Sequence, residues 1–295
     1  MKSAYVWLLG LALCLTLTAC ARPISGTDFF VQGEEQVGEQ MGGTEDRWSY
    51  QLTAERYPLH RSAADRRLLV DAFYDLPRMA VFHADGTPYD ERAEALAPAV
   101  TVASRVNESF RRQFALWQEN FREIAALAAK DYAEGNGPWT NEDYFYTDSV
   151  AVTFWNNSRI ACLTLSAESF TGGEHSITSR TAMTFDMRSG REITINDMVD
   201  DYAALRDTVA LEILSQIEDG RYLKYYDGEV LFADYRETIP EWMTRTVFFG
   251  TGQMTVVFSA YDIAPYSAGE QAFTISYDLI EPYLNDYGRA MLEIS

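Results

Sequence analysis

The residues best able to do chemistry gather at one turn. Thr171-Gly172-Gly173-Glu174-His175-Ser176 carries one of the chain's three histidines. An imidazole in such a place could take a proton or bind a metal ion. Glu168 and Glu174 flank the same turn, and glycosidases use two carboxylates across a cleft. Neither set is complete. His175 has no second His or Cys at ligand spacing, and His60 and His83 stand alone in loops. With 44 acidic residues in the chain, two glutamates near one turn do not by themselves make a pair. No G-x-S-x-G elbow, H-E-x-x-H, phosphate loop or dinucleotide fingerprint occurs. The reading is no catalytic set, no metal site and no cofactor. Cys162 reads as a small buried hydrophobe, since nothing near it in sequence would lower its pKa.

A second set is aromatic. Tyr261, Tyr266 and Tyr277, with Trp242 nearby, could stack on sugar rings or anchor a protein loop, because tyrosine offers rigid amphipathic area. Pro265 stiffens the loop between the first two. The candidate binding residues are therefore Gly172, Gly173, Glu174 and His175 on the turn, with Tyr261, Pro265 and Tyr266 near the end of the chain.

Extended segments must position the turn. Ile160 to Phe170 is nearly continuous in apolar and small residues. After the turn, Ile177, Met183, Phe185 and Met187 share one parity, while Thr178, Arg180, Thr184 and Asp186 take the other. That alternation predicts a half-buried strand. The two Gly residues allow positive φ between the runs, and Ser189-Gly190 closes the far end. With a strand over Tyr144 to Trp155 and a short one near Glu192, this predicts an antiparallel meander.

Earlier in the chain, Trp48 to Leu59 alternates as a strand that Tyr57-Pro58 should stop. Leu68 to Phe82 is a second extended region, with Pro77 pointing to an edge or bulge. From about Ala95 to Glu134, Val106, Phe110, Phe114, Trp117, Phe121, Ile124, Ala128 and Tyr132 recur at steps of three or four. That predicts one long helix whose aromatic stripe lies on a sheet. Gly135 onward stops it. Later, a helix follows Asn196 or Asp197 with Tyr202, Leu205, Val209, Ile213 and Ile217 inward, ended by Gly220. A short helix near Val230 to Trp242, strands over Thr244 to Phe249 and Met254 to Tyr261, a last strand through Phe273 and Ile275, and a helix over Asp278 to Leu284 complete the reading. The fold class is α+β: antiparallel sheet or sheets packed by a long helix and shorter C-terminal helices.

The front of the chain speaks to location. Lys2 is followed by a short apolar run to Thr18, too short to span a bilayer and right for a secretion signal. It ends in Leu17-Thr18-Ala19-Cys20, which resembles the lipobox of bacterial lipoproteins. The resemblance implies that Cys20 becomes the first mature residue and carries a diacylglyceryl thioether. Two or more acyl chains anchor a protein stably. The expected organisation is a signal peptide over residues 1–19, a Gly- and Glu-rich tether over 20–46, an N-terminal α+β part over 47–170 and a C-terminal part over 171–295. The expected location is the outer face of the bacterial envelope, held to the membrane by lipid. A formal charge of −20 argues against nucleic acid, which needs a basic footprint. It suits a basic protein partner.

Four motifs carry a further resemblance: Tyr57-Pro58, Thr171 to Ser176, Phe185 to Gly190, and Phe258-Ser259-Ala260-Tyr261-Asp262-Ile263-Ala264-Pro265-Tyr266-Ser267-Ala268-Gly269. Their order resembles the extracytoplasmic domain shared by RsiV-type anti-sigma factors and the non-catalytic N-terminal part of PdaC-type peptidoglycan deacetylases. The resemblance spans about residues 48 to 286. Glu174 and Ser176 stand where that family usually has Ala and Gly. Thr184-Phe185-Asp186 lacks the second Asp and the Gly of the deacetylase motif, so that activity is not implied. The expectation is a non-catalytic binding domain for a cell-wall glycan or a basic wall-active protein such as lysozyme. Two alternatives stay open: an envelope glycan hydrolase using Glu168, Glu174 and His175, and a structural or assembly lipoprotein.

Overall fold

The computed structural model describes residues 48–90, 97–141, 143–219 and 231–294. The lipobox at Cys20, the signal and the tether lie outside them, as do Ala95, Gly220 and Val230. Among the described residues, no helix is long and apolar enough to cross a membrane.

The fold is α+β, with two sheets. Strands β1 (Trp48–Ser62), β2 (Leu68–His83), β3 (Tyr146–Asn156), β4 (Ile160–Phe170), β5 (Ile177–Asp186) and β6 (Glu192–Ile193) lie in that order across a six-stranded sheet. Every neighbouring pair is antiparallel except β2 with β3, which run parallel. The parallel pair follows from the helix between them: a crossover returns the chain to the same end of the sheet. Strands β7 (Thr246–Gly250), β8 (Gln253–Phe258) and β9 (Gln271–Ser276) form the second sheet, antiparallel throughout.

Helix α1 (Pro98–Glu134) fills that crossover, with Pro98 in its first turn and Gly135 left-handed at its end. Its 37 residues span about 55 Å. The stripe read from sequence is the packed face: Val106, Phe110, Trp117, Ile124 and Ala128 are buried against the large sheet. The Asn107 amide does for Met79 what a neighbouring strand would. It accepts from the Met79 N–H and donates to the Met79 carbonyl, each at 2.8 Å. This satisfies β2 beyond Tyr74, where its pairing with β3 ends, and where Pro77 sits.

Two strand readings change. β1 does not stop at Tyr57-Pro58 but continues to Ser62, with Pro58 opposite Phe73. β1 is the outermost strand, which is where a sheet tolerates proline. β5 is not half-buried along its length. Ile177 is exposed, yet Met183, Thr184, Phe185 and Asp186 are all buried. Phe185 meets Phe110 of α1 edge-on at 5.6 Å. On the other face, Thr184 donates its hydroxyl to the Cys162 sulfur at 3.3 Å. Cys162 lies in a second core with the small sheet, and burial pushes its thiol pKa up. The division expected at residues 170/171 falls at the tip of the β4–β5 hairpin, and both hydrophobic cores share that hairpin.

The second core is closed by α2 (Tyr202–Glu218), α3 (Tyr235–Thr238), α4 (Tyr277–Ile280) and α5 (Asp286–Leu292). Leu205, Val209, Ile213 and Ile217 face inward, but Tyr202 is exposed at the first turn. Helix α5 has no counterpart in the sequence reading. Its start is fixed by Asn285, whose side chain accepts from the Gly288 N–H at 2.7 Å. Asp186 is a turn organiser. Its carboxylate accepts from the Arg188 N–H at 2.8 Å, the Ser189 hydroxyl at 3.0 Å and the Tyr287 hydroxyl at 3.1 Å. Gly190, at φ 68°, ends this turn so near α1 that a Cβ there would lie 2.7 Å from the Val102 carbonyl oxygen. No other residue fits without moving the helix.

One buried acid lies between α1 and the sheet. Asp148 on β3 accepts from the Asn120 amide at 3.2 Å, and burial pushes its pKa up to about 6. This folded-state value lies above the ordinary 3.8, so folding favours the protonated acid. Its stabilisation is fully present below about pH 4 and is lost as pH rises through about 6, a difference of about 3 kcal/mol. Asp148→Asn should therefore raise stability at pH 7.5 and leave it nearly unchanged at pH 4. Urea titrations of both proteins at the two pH values measure this; a variant less stable than the parent at pH 7.5 would contradict it.

Candidate functional site

The Gly-Gly turn and the C-terminal tyrosines meet in one place. β4 ends at Phe170 and β5 begins at Ile177, and the loop between them needs Gly172 at φ 91° and Gly173 at φ 104°. Both values lie where side chains other than glycine are strained. The Ser176 hydroxyl donates to Glu168 at 2.7 Å and ties the two strands together below the loop. This leaves His175 on the outside.

The His175 ring stacks on Tyr266, with centroids 3.6 Å apart and planes 9° from parallel. Its Nδ1 lies 3.1 Å from the Ser176 carbonyl oxygen and its Nε2 lies 3.4 Å from the Tyr261 hydroxyl. One tautomer satisfies both contacts: Nδ1–H donates to the carbonyl, and Nε2 accepts from Tyr261. Tyr261 leans toward Tyr266 at 6.1 Å and 32°. Three rings from two loops thus form one cluster, with Tyr261 58% exposed.

The loop that carries the tyrosines is cross-linked by its own hydrogen bonds. Asp262 accepts from the Ser259 N–H at 2.7 Å, and the Tyr261 N–H donates to the Ala264 carbonyl at 2.9 Å. This turn holds Tyr261 at φ 74°. A bulky residue at positive φ is strained, and such strain persists where surrounding structure enforces it. Arg245 enforces it by donating to Asp262 at 3.0 Å. Pro265 precedes a short 3-10 turn over Tyr266–Ala268, and the Gln271 amide donates to the Ala268 carbonyl at 2.8 Å.

The other sequence candidates separate from this cluster. Trp242 and Tyr277 are core residues. Trp242 is fully buried and donates its indole N–H to the Arg206 carbonyl at 2.9 Å; the Tyr277 hydroxyl donates to the Gly250 carbonyl at 2.8 Å. His60 on the outermost strand pairs with Asp71 of β2 at 2.9 Å, and His83 stacks on Tyr89. The histidines do not converge. Among the described residues no group of three or more His, Cys, Asp or Glu could hold a metal ion.

A groove of about 840 Å³ adjoins the cluster. Its lining begins at Ile177, two residues beyond His175, and takes in Ala260 and Asp262 on either side of Tyr261. It runs along β5 between the two sheets. Sequence reasoning missed it, because its walls come from segments far apart in the chain. Arg180 lines it and lies 3.6 Å from Glu270, whose side chain is wholly buried. The Thr246 hydroxyl donates to the Arg180 carbonyl at 2.7 Å, tying β7 to β5.

Residues 221–278 match the family model described as Protein of unknown function (DUF3298). The matched stretch contains Tyr261, Pro265 and Tyr266. A solved DUF3298 family member from Bacteroides fragilis is similar in fold, with a TM-score of 0.50 and 14% identity over 82% of this chain and 96% of that one. A DUF3298 family protein from Pseudomonas aeruginosa gives a TM-score of 0.44 and 16% identity over 80% of this chain and 94% of that one. No curated protein matches the chain.

The Arg180–Glu270 contact joins the two sheets in a buried place. Removing one partner of such a pair strands the other charge. Glu270→Ala should lower stability by about 3 kcal/mol, and the double replacement Arg180→Met with Glu270→Met should lower it less. Chemical denaturation of the two variants tests the pair; equal losses would show that the charges are not coupled.

Proposed function

We propose that this chain is a cell-envelope lipoprotein that displays a non-catalytic binding domain outside the membrane, with a cell-wall glycan as its ligand. The cluster of His175, Tyr266 and Tyr261 carries the reading. An exposed tyrosine ring on a stiff loop is a platform for a sugar face, and rigidity limits the entropy lost on binding. Anchorage rests on the Leu17-Thr18-Ala19-Cys20 motif, which resembles a lipobox. The resemblance to the extracytoplasmic domain of RsiV-type and PdaC-type proteins supports a role at the wall.

The chemistry of the turn favours binding over hydrolysis. Glu168 is engaged by Ser176, and His175 is packed flat on Tyr266. The second reading, a basic wall-active protein such as lysozyme as the partner, is favoured by the charge of −20, which would steer a cationic protein to this surface.

Purified peptidoglycan and lysozyme, each presented separately to the soluble domain at low salt, distinguish the two ligands. Peptidoglycan should retain the parent protein, and Tyr261→Ala should reduce retention about tenfold, the worth of one good stacking contact. Retention on lysozyme alone would favour the protein partner. Release of reducing sugar from peptidoglycan would overturn the non-catalytic reading. Mass spectrometry of the membrane-extracted protein should find acyl chains on Cys20.

A further inference from the structure

The groove beside the ring cluster holds an under-bonded guanidinium. The Arg180 side chain is only 17% exposed. Among the described residues its polar partner is Glu270 at 3.6 Å, beyond hydrogen-bond length, and its Nε is buried without a hydrogen-bond partner. The Arg245 Nε is buried without one as well. Buried donors in native proteins are almost always satisfied, and those that are not call for a ligand or another explanation. Here both side chains line one groove of about 840 Å³, a size that suits a small-molecule ligand.

Charge decides the ligand class. Arg180 faces Glu270, and Arg245 faces both Asp262 and Glu241. Each guanidinium already has its counter-charge, so neither calls for an anion. The whole chain, at −20, repels anions further. What remains unmet is hydrogen bonding. The walls add hydroxyls from Thr178, Thr194, Thr246 and Ser259 beside apolar Ile177 and Val247. The Arg180 guanidinium, the Arg245–Asp262 pair and the hydroxyls form a donor and acceptor array for an uncharged ligand rich in hydroxyl and amide groups, and Tyr261 lies in the chain between the lining residues Ala260 and Asp262.

We propose that this groove binds a neutral, N-acetylated oligosaccharide, with the Arg180 guanidinium donating to an acetamido carbonyl and Tyr261 stacking on a sugar ring at the entrance. The proposal rests on the glycan reading above and adds the site and the ligand's charge class to it.

Chitotetraose is the probe, with inorganic phosphate as the anionic control. Isothermal titration should give saturable binding of chitotetraose and none of phosphate. Methyl NMR signals of Ala182 and Val247, inside the groove, should shift with added sugar. Arg180→Lys keeps the positive charge opposite Glu270 but loses the planar fork of donors; its affinity should fall about tenfold. If that variant melts far below the parent, Arg245→Lys and the parent's own methyl shifts carry the test. Binding of phosphate in place of the sugar, absence of sugar binding, or shifts at Tyr261 and Tyr266 without shifts inside the groove would each overturn the proposal. Peptidoglycan retention lost in Tyr261→Ala but unchanged in Arg180→Lys would likewise refute the groove while leaving the glycan reading standing. Failure of the parent to bind peptidoglycan would sink that reading instead.

Discussion

The structure depends on one hairpin being buried from both sides. Leu163, Leu165, Met183 and Phe185 of β4 and β5 point toward α1, while Ile160 and Cys162 of β4 belong to the second core. A strand pair at a solvent surface can alternate apolar with polar residues. One between two cores cannot, and buried Thr184 and Asp186 show how its polar positions are accommodated. Thr184 bonds a sulfur, and Asp186 collects three donors that shape the next turn. Both of these buried polar side chains are matched, so the second sheet can pack closely against the hairpin there.

That constraint places the ring cluster. The hairpin's distal end emerges beyond both cores, where Ile177 is exposed and the turn is free to carry His175. The small sheet delivers Tyr261 and Tyr266 to the same height because β7 is tied to β5 through Thr246 and Arg180. A histidine and a tyrosine separated by 86 residues meet because two rigid frames share a wall. The same wall leaves the groove, since the sheets touch at β7 but part along the outer edge of β5.

Much of this was legible in the residues. The stripe of α1, the Gly-Gly turn and the Pro265 loop follow from local patterns, and the sequence candidates His175, Tyr261 and Tyr266 are brought together. What failed was long-range. Trp242 and Tyr277 carry the same chemistry as Tyr261, and only the packing of α2, α4 and the small sheet decides that they are core. Alternation in β5 predicts one wet face, because period two cannot report a second sheet that arrives 60 residues later in the chain. Arg180 falls on the polar parity and reads as a solvated charge. Its partner, Glu270, lies 90 residues away, and no local rule connects them. Proline was read too strictly at Pro58, which sits inside β1 because that strand is outermost, while Pro77 lies as expected where β2 has no strand on one side.

Those prolines have a bearing on how many copies can be crowded together. An outermost strand is a template on which another molecule's strand can grow, and unprotected edges seed fibres. Here β1 sets Glu55, Arg56, Pro58, His60 and Arg61 in its exposed half. Any chain attempting to add there would meet a ring that cannot donate and a row of mixed charges. Wherever copies are crowded together, the exposed half of β1 keeps neighbours from polymerising edge to edge.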